Sequence, residues 1–237
     1  MLAIVLTGWE LLARATNPLL FAAPSRVVTA FGDLINSGRL GPALTTTLST
    51  LVVGFLVSVV SGISLGVLLG RSRTWGRLIE PYVNAIYATP RVVIIPLVII
   101  WFGVGYNGRL FIIWLGAVIP ILLNTAIGMA YTPTDLVETA RSFQVSKRQM
   151  IRHVVLPAAV PFVVSGLRVG AERALVGAVI GEIFLSLTGV GGIIQTESER
   201  FRSDTVLAAA AVYAVLGWLV ITALGAVENR FIAWKSN

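Results

Sequence analysis

Little in this 237-residue chain is equipped for covalent or metal chemistry. It has no cysteine, which removes disulfides, thiolate zinc sites and cysteine nucleophiles together. Its one histidine, His153, stands beside Arg152 with no second histidine or carboxylate at ligand spacing, so neither metal binding nor general-base work is indicated. The two lysines, Lys147 and Lys235, do not follow a Gly-x-x-x-x-Gly, so the chain has no Walker A loop to cradle a nucleotide phosphate. What remains is a set of charges in apolar surroundings: Arg91 beside Pro90, and Arg168, Glu172, Arg173 and Glu182 along one stretch. Such charges are either paired within the protein or line a wet path.

The elements that must position them are membrane spans. The chain is 56% hydrophobic and 12% charged, with a mean hydropathy of +0.87. That is about half the charge of an average soluble domain. A span needs about 20 mostly apolar residues to cross about 30 Å of hydrocarbon. Thr45–Gly70, Leu110–Tyr131 and Thr205–Val227 are uncharged runs of that size. Pro81–Trp101 carries Arg91, and Pro161–Leu187 carries the four other charges. Met1–Ala13 is short and holds Glu10, so it reads as a partial first helix or one lying against the bundle. The fold class is therefore all-α membrane protein, with five core transmembrane helices plus a short or partial N-terminal one.

Basic residues set the orientation. Nine of them fall on one side: Arg71, Arg73, Arg77, Arg141, Lys147, Arg148, Arg152, Arg230 and Lys235. Five fall on the other, Arg26, Arg39, Arg109, Arg200 and Arg202, diluted by Asp33, Glu197, Glu199 and Asp204. The first group belongs in the cytoplasm. The net charge of +7 is thus explained by topology, and nucleic acid is not an expected partner. The tryptophans Trp9, Trp75, Trp101, Trp114, Trp218 and Trp234 include several near span ends, as in an interfacial belt.

Ionisable groups at membrane depth are costly and face protein or a water-filled cavity. At about 100° per residue, Glu172 and Glu182 fall about 40° to either side of Arg168, while Arg173 points elsewhere. Arg168 and Glu172, four apart, suit an ion pair or a place on a solute path. Glu182, about 21 Å further along the helix, suits an outer gate or a packing contact. Arg91 suits attraction of an anion or a snorkelling helix end. Small residues recur every fourth position at Gly54, Ser58, Gly62, Gly66 and Gly70, and again at Gly166, Gly170, Ala174 and Ala178. Such rows let membrane helices approach closely. Pro90 and Pro96 are expected to interrupt the third span, which a membrane tolerates where protein or a wet cavity satisfies the freed backbone.

Residues 131–157, between the fourth and fifth spans, read as two short helices. Thr132, Pro133 and Asp135 have the shape of a capping box with proline at the first helical position. Ser146 and Gln149 form a second box. The first helix is expected to end near Phe143, the chain to turn at Gln144–Val145, and the second helix to run from Lys147 towards Pro157.

These residues resemble a family. Glu138-Thr139-Ala140 through Leu156-Pro157 is similar to the EAA loop of permease subunits in type I ABC importers. Glu138, Ala140, Leu156 and Pro157 match at the right spacing, Val154 stands in for Ile, Thr139 replaces an Ala, and Gln144 occupies the usual glycine position. Pro24-Ser25, Ile95-Pro96-Leu97, Trp101-Phe102-Gly103, Pro120 through Thr125, and Gly166-Leu167-Arg168 extend the likeness over nearly the whole chain, towards the nitrate/sulfonate/taurine branch.

The resemblance implies a permease fold with a cytoplasmic coupling helix around Glu138–Phe143, contacting an ATPase through Glu138, Thr139, Ala140, Arg141, Phe143, Gln144, Val145 and Ser146. A glycine at position 144 would suit a left-handed turn, and Gln there should cost about 1 kcal/mol. The resemblance further implies no bound cofactor, with ATP and Mg handled by a partner ATPase dimer. It implies a second permease copy, an extracytoplasmic binding protein bringing a small, often anionic solute, and a prokaryotic inner-membrane location with the C-terminus in the cytoplasm. The organisation expected is a partial helix over 1–16, an external connector with an amphipathic helix over 17–44, the transport domain over 45–230 with its coupling loop at 132–157, and a cytoplasmic tail over 231–237. Gly189 through Gly192 is expected to be a flexible outer loop, followed by the charged run Glu197–Asp204, which either faces the binding protein, as the resemblance implies, or is a plain solvated connector. Pro90, Arg91, Arg168, Glu172 and Glu182 are the expected path residues. A self-sufficient secondary carrier or channel is the alternative, although carriers often show inverted repeats and the chain shows no convincing internal repeat.

Overall fold

A computed structural model describes residues 1–17, 19–71 and 73–232, and every regular element among them is helical. In chain order these are α1 (Leu2–Ala15), α2 (Pro24–Asn36), α3 (Leu40–Gly70), α4 (Arg73–Ala88), α5 (Arg91–Phe102), α6 (Tyr106–Ala130), α7 (Thr134–Ser142), α8 (Lys147–Met150), a π-helical segment (Ile151–Val155), α9 (Leu156–Leu185), α10 (Gly189–Glu199) and α11 (Ser203–Ile232). Four stretches are long and apolar enough to cross a membrane: α3, α6, Lys147–Leu185 and α11. A fifth crossing is counted if the broken pair Pro81–Ala88 and Arg91–Phe102, bent by 95°, forms one span. The tail expected at 231–237 lies, from residue 233, outside the described residues.

Two spans differ from expectation. The third breaks only at Thr89–Pro90, where the proline ring disfavours helical geometry in the residue before it. Pro96 stays inside α5, with Ile95 and Val98 buried on either side of it. The fifth span does not begin after a loop helix that stops at Pro157. Helix continues from Lys147 to Leu185, because the turn ahead of the proline widens to π geometry. The Leu156 N–H bonds Ile151 C=O, five residues back, which re-routes the ladder where Pro157 has no N–H to give.

Close contacts divide the chain into two compact units. One comprises Val53–Ile94, Ile113–Gly177 and the chain from Leu219. Here α6 is packed on both α3 and α9 through the small-residue rows. A methyl group added at Gly62 would meet Ile121 at 2.8 Å, and one at Gly66 would meet Thr125 at 2.5 Å. Added at Gly166 or Gly170, it would meet Asn124 or Ile121 within 2.8 Å. The Ser58 hydroxyl bonds Gly54 C=O at 2.7 Å, and the Trp114 indole N–H bonds Ser61 Oγ at 2.9 Å.

The other unit comprises Met1–Val52, Ile95–Ile112 and Ala178–Trp218. Its α1 is 14 residues, about 21 Å of helix and too short for a full span. Glu10 explains its presence in an apolar run: its carboxylate accepts from the Ser25 N–H at 3.2 Å and hydroxyl at 2.8 Å, satisfying the start of α2. The Trp9 indole N–H bonds Ala22 C=O at 3.1 Å, so α1 is pinned to the segment before α2. The Gly189–Gly192 stretch is not a flexible loop but the buried first turn of α10. Its glycines admit neighbours that a side chain would exclude: a Cβ at Gly191 would lie 2.7 Å from Glu182, and one at Gly192 2.4 Å from Leu187 C=O.

Candidate functional site

The loop after α6 is built from local rules. Thr134 begins α7 with Pro133 as its cap, one residue later than the first capping box requires. Asp135 then sits second in the helix, where it complements the helix dipole without closing a box. Thr132 Oγ1 is buried without a hydrogen-bond partner. The second box does form: Ser146 N–H donates to Gln149 Oε1 at 2.8 Å, and Gln149 N–H to Ser146 Oγ at 3.3 Å.

Between the boxes the chain turns as expected of a glycine, but with Gln144 at φ +52°. The Gln144 N–H bonds Arg141 C=O at 2.8 Å and the Val145 N–H reaches Ala140 C=O at 3.5 Å, the two bonds of a Schellman ending. Of the expected ATPase contacts, Glu138, Thr139, Arg141, Phe143, Gln144 and Ser146 are exposed, Val145 is half-buried, and Ala140 is buried. Ala140 therefore faces the protein. Phe143, the C-cap residue, is 78% exposed and Leu136, within the helix, 50%, an unusual display of apolar surface for a nine-residue polar helix and its cap. The helix packs against Ile151–Val155, the π turn at the root of α9.

The charges within spans fall into two settings. In the unit containing α7, Arg91 is half-buried and its guanidinium bonds two backbone carbonyls, Arg173 C=O at 3.0 Å and Gly116 C=O at 3.3 Å. This joins the start of α5 to α9 and α6, just beyond the break at Pro90. The Arg173 guanidinium lies over the Tyr87 ring, 5.8 Å from its centroid. Arg168 and Glu172 are both exposed. Two cavities of about 300 and 390 Å³ are lined by none of Pro90, Arg91, Arg168, Glu172 or Glu182.

In the other unit, Glu182 is only 1% exposed. Its Oε2 accepts from the Tyr213 hydroxyl at 2.5 Å and from the Gly191 N–H at 2.8 Å. The neighbouring Val190 N–H bonds Thr47 Oγ1 at 3.0 Å, so two orphan donors at the start of α10 are satisfied by side chains of α9 and α3. Arg109, 6% exposed, places Nη1 4.0 Å from Glu182 Oε1. Sequence reasoning placed Arg109 among the external basic residues and had no signal for Tyr213 or Thr47. A lone carboxylate in a span demands partners, but spacing does not name them. Nor did it bring together Arg39, Arg200 and Arg202, which converge on the buried Glu197. Among the described residues no three His, Asp or Glu side chains gather as a metal site.

Long apolar helices, buried charges held by side-chain and backbone partners, and a structured polar loop define a multi-pass membrane protein. Residues 58–233 match the model of the binding-protein-dependent transport system inner membrane component. An ABC transporter permease of Methanocaldococcus jannaschii is 31% identical, over 98% of this chain and 90% of its own length. The taurine transport system permease of Escherichia coli is 27% identical, over 98% and 87%. An inward-facing structure of the MetNI methionine ABC transporter covers 81% of this chain and 95% of its own, with a TM-score of 0.71 at 20% identity, which speaks to the fold. The chain belongs to this family: it is a permease subunit of a type I ABC importer of the nitrate/sulfonate/taurine branch. It is the membrane component, acting with an ATPase and a binding protein.

Proposed function

We propose that two copies of this chain enclose an alternating-access path for a small anionic solute in a prokaryotic inner membrane, driven by a cytosolic ATPase dimer that docks on α7. ATP and Mg would be bound by that dimer and not by this chain. The observation that carries the docking is α7 itself: Leu136 and Phe143 stand exposed beside Glu138, Thr139 and Arg141, on a helix seated against the root of α9. A rigid push on α7 would pass through the π turn into a 30-residue helix. The Schellman turn at Gln144–Val145 and the box at Ser146 hold the far end of α7 in register with that root. The coupling loop is then cytoplasmic, α9 carries the chain across, and the C-terminus lies in the cytoplasm.

The second copy is supported by Arg168 and Glu172. Both are exposed on α9 at membrane depth, where lipid is a poor neighbour and a second subunit or a wet path is a good one. The anionic cargo rests on the sulfonate group of the solute named for the taurine relative and on Arg91, Arg168 and Arg173, three of the cations within the spans. Glu182, buried and bonded, is assigned to holding α10 in place rather than to touching solute.

Absence of cysteine makes the test clean. A single Thr139→Cys should cross-link in membranes to a cysteine placed in the docking cleft of the ATPase, and Leu19→Cys, on the N-terminal connector, should not. Equal labelling of both positions, or of neither, would remove α7 as the contact.

A further inference from the structure

The larger cavity, of about 390 Å³, lies at the root of α9, and all of its lining belongs to one compact unit. Thr125 and Met129 of α6 and Ala159 of α9 are its buried residues, and Ile63 and Val67 of α3 are half-buried beside them. Leu156 and Pro157 on its edge are exposed, so the cavity is a groove open on one side. The Thr125 hydroxyl is spent on Ile121 C=O at 2.7 Å, which leaves Arg152 as the polar side chain among the described lining residues.

Arg152 is exposed, and among the described residues its guanidinium makes neither an ion pair nor a hydrogen bond. Arg148 stands four residues before it, the spacing at which helical side chains neighbour one another. Residues 147–157 contain no acid to offset Lys147, Arg148 and Arg152. Asp135 and Glu138 of α7, which packs on this turn, form no ion pair with them. From Arg152 to Val163 the groove follows about 16 Å of helix. That is the depth of one leaflet, half of a hydrocarbon core about 30 Å thick.

We propose that this groove holds an anionic phospholipid of the cytoplasmic leaflet. One acyl chain lies against Ile63, Val67, Val160 and Val163, and the phosphate sits on Arg152 with Arg148 beside it. The proposal rests on the importer reading above for the choice of leaflet alone. A basic mouth over an apolar groove between membrane helices is complementary to an anionic headgroup and its chain. A soluble anion would meet Arg152 but gains nothing from the apolar interior. A second copy is given a different face: Leu156, Val160 and Val163 lie about 80–140° round α9 from Arg168. Because α7 packs on the π turn that carries Arg152, the bound headgroup stands next to the proposed ATPase contact.

Native mass spectrometry of the detergent-purified permease–ATPase complex, titrated with dioleoylphosphatidylglycerol or dioleoylphosphatidylcholine, tests the site. The unaltered complex should prefer phosphatidylglycerol at least about tenfold. Arg152→Gln should cut its retention about fivefold, and Arg152→Lys should keep most of it. Val160→Phe, which fills the groove, should lower retention of the lipid while Arg152 is intact. Equal retention of the two lipids by the unaltered complex overturns the proposal, as does phosphatidylglycerol retention unchanged in both Arg152→Gln and Val160→Phe. Thermal stabilisation by inorganic phosphate equal to that by phosphatidylglycerol would assign Arg152 to a soluble anion. Disulfide cross-linking of Val160→Cys between two copies would assign the groove to the permease interface, and either result overturns the lipid. An unaltered chain that retains phosphatidylglycerol but never assembles with the ATPase would overturn the importer reading instead.

Discussion

Glu182 illustrates how a single charge is carried at membrane depth: two charge-assisted donors close on one oxygen while Arg109 stands 4.0 Å from the other. Removing the carboxylate by Glu182→Ala leaves a buried guanidinium without its counter-charge and frees the start of α10. The expected cost is roughly 3–5 kcal/mol, read as a large fall in the unfolding midpoint in detergent. Tyr213→Phe removes one bond to the carboxylate and should cost about 1.5–3 kcal/mol in the same assay. Destabilisation by Tyr213→Phe equal to that of Glu182→Ala would mean that Arg109 is not part of the balance. That Glu182 sits at depth was legible in the sequence; its partners were not, because Tyr213 reads there as one more aromatic in an apolar run. Gln144 is the reverse case. The turn was legible from the family's glycine, and the structure keeps the left-handed backbone despite the substitution. Gln144→Gly should therefore stabilise the chain by about 1 kcal/mol, and a loss of stability would mean that the side chain makes a compensating contact.

Elements were legible where one strong local signal acts alone. The small-residue rows announced close helix packing, and α6 does receive α3 and α9 along them. Gly66→Leu would drive a branched side chain into Thr125 and the Leu122 carbonyl, both within 2.7 Å of an added methyl. It should cost about 1–3 kcal/mol or block assembly of the bundle, whereas the same change at Gly217, with open space around it, should be near neutral. Thermal midpoints of the two variants in detergent decide it. Boundaries were less legible where several signals compete. Thr132, Pro133 and Asp135 offered a capping box, but the helix starts one residue later and leaves the box unclosed. Pro157 promised a helix end, yet apolar sequence runs on both sides of it, and one π turn lets the helix continue. The glycine-rich stretch at 189–192 looked loose because glycine usually signals a turn; here the missing side chains admit Glu182 and Leu187 instead.

At the scale of the whole molecule, α9 turns charge as well as apolar surface towards its surroundings. Arg168 and Glu172 are exposed on a membrane-length helix, and α5 shows Val93, Ile100 and Trp101 at 60% exposure or more. Apolar surface is content in lipid; ionised groups are not. The second copy and wet path proposed above would give that face a polar environment. The helical wheel set Arg168 and Glu172 on one arc of α9, but spacing alone did not say whether that arc faces the protein or its surroundings. The central claim is that this subunit works only with an ATPase seated on α7, and co-purification from membranes in mild detergent tests it most directly. The unaltered chain should bring a stoichiometric ATPase with it, and Glu138→Lys, at an exposed position on α7, should lose that partner while its unfolding midpoint stays unchanged. A chain that purifies alone and moves solute into liposomes without ATP, or a Glu138→Lys variant that keeps its ATPase and its uptake, would contradict the account.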